Sequence, residues 1–237
     1  QAWIEGFESP TDIENHVIDL IGQDEANDFW ELYRANYVAQ ADIDQIAEWG
    51  FNHIRLPFHY KQFHDSTGIE TPIGYAIVDE LITWCQPHNI YIILDMHCAP
   101  GAQNGGPISD SDGIARLWLE DSYKELTIQI WKEIATYYAD HTLIAGYDLI
   151  NEPVLPSSVS LEEFKQLYVD ITEAIREVDN NHLIWIEGNW YGTVFAGLTP
   201  PWDDNMGYSF HKYWGQTDIS TIKSYINMRN NYGVPLW

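Results

Sequence analysis

The sequence predicts an α/β protein of the (β/α)8 TIM-barrel class, incomplete as it stands. Three observations predict it. From about residue 40 an amphipathic helix followed by a short apolar strand recurs along the chain, the pattern of parallel βα units rather than of an antiparallel sheet. No strand is followed by the Gly-rich phosphate loop of a doubly wound sheet. Polar residues instead follow the strand cores directly, where a barrel would collect them at one mouth. The 237 residues fall just below the length of about 250 typical of such a barrel. No linker interrupts them, so a single barrel domain over 1–237 is expected.

The elements follow from periodicity. Ile43, Ile46 and Ala47 have helical spacing, Gly50 stops that helix, and Phe51 to Pro57 reads as the first strand. A helix over 74–88 leads to an apolar strand, Ile90 to Met96. The helix over 121–139 places Leu126, Ile130, Ile134 and Tyr137 on one face, and the strand Leu143 to Ile150 comes next. Ser160 and Glu163 form a capping box that opens a helix with an apolar stripe of Leu161, Phe164, Tyr168, Ile171, Ile175 and Val178. His182 to Ile186 is its strand. After an aromatic loop come a strand over 206–211, a helix over 218–230 and a last strand, Val234 to Trp237. That makes six strands, two short of a closed barrel.

Composition excludes several functions. Against 36 acidic residues stand 11 Lys and Arg, and the net charge of -25 repels nucleic acid and anionic lipid. A neutral substrate suits such a surface. The same charge would keep the protein hydrated in brine, so a saline habitat is a hypothesis that loss of activity in high salt would refute. Cys85, late in a helix, and Cys98, at the far end of the next strand, should lie about 15 Å apart, too far for a disulfide. No apolar run reaches membrane-spanning length, and with neither an initiator Met nor a signal-like start a processed, extracellular protein is expected.

The strand ends supply Arg55, His97, Asn151, Glu152, Glu187, His211 and Tyr213. Glycoside hydrolysis with retention needs one carboxyl to protonate the leaving oxygen and a second, about 5–5.5 Å away, to attack the anomeric carbon. Glu152 suits the first role. Asn151 can donate an amide hydrogen to the sugar 2-hydroxyl, and Pro153 turns the chain away from the site.

The run from Asp95 to Gly105, with Arg55-Leu56-Pro57, Leu149 to Pro153 and His211-Lys212-Tyr213, resembles glycoside hydrolase family five, the cellulase family within the clan A retaining β-glycosidases. The resemblance extends from Trp3 to Trp237. It implies that Glu152 is the acid/base and Asn151 its partner. It implies further that Arg55 lies against the nucleophile, that His97 and His211 frame the sugar at the cleaved bond, that the Tyr213 hydroxyl meets the nucleophile, and that Asn104 touches the same sugar. Two departures stand out. The family's nucleophile is a Glu a few residues beyond the stretch matching Val234 to Trp237, and its first strand precedes the stretch matching Trp3 to Phe7. Both are expected to be absent here, along with the eighth strand, which would leave a fragment impaired in catalysis.

Plainer readings bear on the remaining candidates. Glu187 as a substitute nucleophile would attack from an unsuitable angle. His53, His59 and His64 fit no zinc spacing, and Asp110 and Asp112 read as a turn rather than a calcium loop, so no metal is expected. Trp190, Trp202 and Trp214, in loops on the mouth side, are candidate sugar platforms, whereas Trp49, Trp84 and Trp131 read as packing. The favoured activity is endo-β-1,4-glucan hydrolysis with retention and without a cofactor. An exo-β-1,3-glucanase or β-glucosidase is the alternative within the class, and a non-catalytic carbohydrate-binding barrel the alternative outside it.

Overall fold

The computed structural model describes residues 8–65 and 67–237, so the Trp3 to Phe7 stretch lies outside the described residues. Five parallel strands form one sheet whose order follows the chain: β1 (His53–His59), β2 (Tyr91–Cys98), β3 (Ile144–Asp148), β4 (Leu183–Glu187) and β5 (Met206–Ser209). Consecutive parallel neighbours are what a (β/α)8 barrel requires, whereas a doubly wound sheet reverses its order part-way. The chain forms a section of such a barrel.

The first three crossovers each carry a helix against the outer face of the sheet, whereas β4 and β5 are joined by a loop with only a short helical turn at 189–192. The three helices are α4 (Ile73–Cys85), α5 (Asp121–Tyr138) and α6 (Leu161–Arg176), with α3 (Gln40–Glu48) before β1 and α7 (Ile219–Tyr232) after β5. On β2, Ile92, Leu94 and Met96 face the helices and are fully buried, while the alternate residues Ile93, Asp95 and His97 face inward. The capping box of α6 is present: the Ser160 hydroxyl accepts from the Glu163 N–H, and the Glu163 carboxylate accepts from the Ser160 N–H. Below it Phe164, Tyr168, Ile171 and Ile175 are all buried, as their spacing predicts, whereas Leu161 at the start of the same stripe is exposed and Val178 at its end is half-buried.

The structure departs from the sequence reading at other places too. Residues 234–237 form no full strand; they add a single parallel bridge, Tyr208 to Leu236, at the edge of β5. On α5 the tyrosine buried in the core is Tyr138, not Tyr137, because 130, 134 and 138 keep the core-facing row and Tyr137 is turned outward beside Asp79. Trp49 ends α3 and is 68% exposed, so it does not pack as expected, unlike the fully buried Trp131. Two helices that periodicity left unread, α1 (Pro10–Ile21) and α2 (Gln23–Tyr37), precede the repeats.

A knot of polar contacts ties α1 to the barrel. Asp110, left-handed at φ 57°, accepts from the Thr11 N–H (2.8 Å), the Thr11 hydroxyl (2.6 Å) and Lys61 Nζ (3.2 Å), with His59 Nε2 at 3.0 Å. His59 Nδ1 accepts from the Lys61 N–H, so Nε2 carries the proton facing Asp110. These bonds outweigh the effect of burial and hold the Asp110 carboxyl below its ordinary pKa. Asp112 instead pairs with Arg116, and His64 with Glu133, so the histidines and acids of this region serve packing at separate points.

Candidate active site

The inward residues of neighbouring strands meet at Arg55. The register pairs Pro57 with Asp95, Asp95 with Asp148, and Asp148 with Trp185, which puts one inward residue of each strand at the same level. Arg55, one inward step below Pro57, sends its guanidinium into this layer. Nη1 lies 2.9 Å from Asp95, Nε 2.9 Å from Asp148, and Nη2 2.8 Å from Glu187 and 3.0 Å from the Asn151 side-chain oxygen. Asp95, Asp148 and Glu187 are wholly buried. One cation among three such carboxylates leaves an excess of negative charge, and burial disfavours it. Burial, with Asp148 nearby, lifts Asp95 to about 6 against the pull of His97 and Arg55. Burial and the adjacent Glu187 lift Asp148 to about 7. Arg55 is held protonated by the same neighbours despite its own burial.

Beyond β3 the chain turns sharply. Glu152 has φ 46°, a left-handed conformation that costs a residue with a Cβ about 1–2 kcal/mol. Both peptide groups around it are held. Its N–H donates to Glu187 Oε2 at 2.7 Å, and its carbonyl accepts from Asn104 Nδ2 at 2.9 Å. Pro153 follows, so the turn cannot relax into a longer strand. The Asn151 amide nitrogen, buried at the same turn, has no acceptor among the described residues, so a ligand oxygen could use it.

His211, two residues past β5, links the two glutamates. Its Nδ1 lies 2.6 Å from Glu152 Oε1 and its Nε2 3.2 Å from Glu187 Oε1. Burial alone would favour the neutral ring, but hydrogen bonds to Glu152 and Glu187 reverse this and raise His211 from 6.5 to about 10. At neutral pH both ring nitrogens therefore donate. The Tyr213 hydroxyl lies 3.4 Å from the same Glu152 oxygen, and His97 Nδ1 lies 2.8 Å from Asp95. The ring of Tyr213 is 78% exposed.

This constellation can be set beside known proteins. The family model for Cellulase (glycosyl hydrolase family 5) matches residues 13–233. The chain belongs to glycosyl hydrolase family 5. A β-xylosidase of Phanerodontia chrysosporium is 34% identical over 83% of the chain and 42% of its own length. Endoglucanase C of Acetivibrio thermocellus is 30% identical over 75% of the chain and 50% of its own length. The chain thus spans about half the length of the curated relatives it matches. Among solved structures, endoglucanase Cel5A of Thermotoga maritima superposes with a TM-score of 0.68 at 19% identity, covering 84% of this chain and 70% of that one, a likeness of fold.

In this family 5 chain the fold brings Arg55, Asn151, Glu152, Glu187, His211 and Tyr213 together, with His97 beside them through Asp95. Asn104 does not face a sugar. It is wholly buried, its amide nitrogen is bonded to the Glu152 carbonyl, and its oxygen accepts from the Gly106 N–H. Trp202 is not at the mouth either. It precedes β5, at the opposite end of the sheet, where its indole N–H donates to Thr172 of α6 and its ring lies under Lys165. Trp190 (60% exposed, in a left-handed turn after β4) and Trp214 (53% exposed, under Lys212) remain on the mouth side. Sequence reasoning missed Asp95 and Asp148 as members of the site. A lone acid inside an otherwise apolar strand was the available signal, since such a group needs a buried partner.

Proposed function

We propose that this family 5 chain carries the acid/base half of a retaining hydrolase of β-linked glucans, built as one barrel domain and working outside the cell. The observation that carries the reading is the meeting of Glu152 with His211, Tyr213 and the Arg55 hub at one end of the sheet. In the first step Glu152 would give its proton to the glycosidic oxygen as a carboxylate attacks the anomeric carbon and the glycosidic bond breaks. In the second it would take a proton from the water that releases the sugar. Glu187 is not free to attack. Its side chain is wholly buried, with one oxygen held by Arg55 and His211 and the other by the Glu152 N–H, so it shows no face to an anomeric carbon, and in this reading the attacking carboxylate is another residue. The 237-residue chain by itself would therefore hydrolyse glycans slowly.

The test is made in the full-length protein. Glu152→Gln should lower turnover of cello-oligosaccharides by about 10²–10⁴-fold yet spare the first step on 2,4-dinitrophenyl glycosides, whose leaving group needs no proton. Azide should then restore turnover of those activated substrates and give a β-glycosyl azide. Equal losses on both substrates would overturn the assignment.

For substrate we favour endo-acting cleavage of β-1,4-glucan, supported by the name of Endoglucanase C. An exo-acting β-1,3-glucosidase is the second reading, supported by a 25% identical "Probable glucan 1,3-beta-glucosidase A" of Aspergillus fumigatus. Early products from cello-oligosaccharides and laminarin separate the two. Monosaccharide alone in the first minutes decides against endo action, and glycan binding without any hydrolysis would favour a non-catalytic binding barrel.

A further inference from the structure

We propose that Asn104 is a positioning residue for the acid/base, acting on the Glu152 backbone rather than on the sugar. The inference rests on the reading of Glu152 given above. A carboxyl can protonate a leaving oxygen only from one place, and where the Glu152 side chain points depends on a left-handed backbone that few residues with a Cβ adopt. That conformation needs restraints on both of its peptide groups. Glu187 supplies one by accepting the Glu152 N–H, and Asn104 supplies the other by donating to the Glu152 carbonyl.

The neighbouring residue extends the clamp. Gln103 Nε2 donates to the Asn151 carbonyl at 2.8 Å and to the His97 carbonyl at 2.7 Å, and the Gln103 carbonyl accepts from the Val154 N–H. Gln103 and Asn104 therefore grip the chain from 151 to 154 on both sides of Glu152. The grip is itself fixed. Ser109 donates to the Asn104 backbone oxygen at 2.7 Å, the Gly106 N–H donates to the Asn104 side-chain oxygen at 2.8 Å, and Trp118 Nε1 donates to the Gln103 carbonyl. With its side-chain oxygen accepting the Gly106 N–H, the Asn104 amide nitrogen can only be the donor that faces Glu152. Asn104, Gln103 and Ser109 are all buried, so this restraint reaches the acid/base from behind, with no access to substrate.

The experiment compares kcat/KM for 2,4-dinitrophenyl and phenyl β-cellobiosides in the full-length protein carrying Asn104→Asp. That change keeps the shape of the side chain but removes the donor. A misplaced acid/base should cost at least tenfold more on the phenyl substrate than on the activated one, with KM nearly unchanged. Equal losses on both, or a rise in KM alone, would mean a sugar contact or general damage and would overturn the proposal, as would no loss at all. If Asn104→Asp does not fold, Ser109→Ala, which loosens Asn104 without touching Glu152, must show the same skew at smaller size. Its absence would also overturn the proposal. Glu152→Gln serves as the control. If it lacks the leaving-group skew, the acid/base reading itself has failed; if it shows the skew and the Asn104 and Ser109 variants do not, only the positioning role falls.

Discussion

The guanidinium of Arg55 holds together groups that would otherwise repel one another. Replacing it by Met should destabilise the fold by about 3–5 kcal/mol near pH 8, because Asp95, Asp148 and Glu187 would be left buried without their cation. The loss should shrink toward pH 5, where Asp95 and Asp148, already raised to about 6 and 7, take up protons. Urea unfolding at the two pH values measures it. His211 gives a second pH signature. Its pKa is raised by folding, so its contribution is complete below about 6.5 and is lost as the pH climbs through about 10. Two charge-assisted hydrogen bonds make that contribution on the order of 2 kcal/mol. In His211→Gln the decline of stability between those pH values should flatten, whatever happens to activity. Asn151, Glu152 and His211 could be found from the sequence because they stand just past strand ends, where a barrel gathers its chemistry; Arg55, read as a strand end, is the third residue of β1 and reaches the same layer only by the length of its side chain. Asp95 and Asp148 escaped because they sit one turn of the pleat earlier, inside strands that read as apolar core. Asn104 was misread for a related reason: a polar side chain in a loop near the mouth can serve the backbone as readily as a ligand, and composition does not distinguish them.

Among the elements, α1 depends on few attachments. Ile13 and Val17 are its buried side chains, and the Asp110 knot fastens its first turn to the loop after β2. Removing the carboxylate with Asp110→Ala should cost about 1–3 kcal/mol, and amide hydrogen exchange should quicken over α1 while α5 and α6 stay protected. Because this carboxyl is held below its ordinary pKa, the attachment is present above the usual carboxylate range and is lost as the pH falls. Acid should therefore loosen α1 in the parent protein too. The helices α4, α5 and α6 were legible because each carries an apolar stripe against the sheet; α3 and α7, which bury only Ile43 and Tyr225, were legible from the strands beside them. Periodicity gave no comparable signal for α2, whose one buried side chain is Ala26. Trp202 shows the limit of reading loops: the segment between β4 and β5 begins at the mouth and ends at the opposite face, so its position along that path decides what an aromatic ring can touch.

At the scale of the whole molecule, charge is the dominant feature. A net charge of -25 on 237 residues sets acidic groups against one another over the entire surface. Salt screens that repulsion within about 10 Å at 0.1 M and about 3 Å at 1 M. The thermal midpoint should accordingly rise as sodium chloride is added over this range, and a fall on addition of salt would contradict the reading. The fold class was legible at this scale because helix and strand alternate along the chain, with one loop in place of a helix between β4 and β5.

The sheet grows in the order in which the ribosome delivers its strands, so each new strand can dock on the one just made. The polar hub does not follow that schedule. Arg55 meets its last acidic partner 132 positions later, a delay on the order of ten seconds at ordinary rates of synthesis. During that interval a nascent chain must shelter one arginine and two aspartates in an unfinished interior, and this is the stage at which a chaperone would have the most to protect.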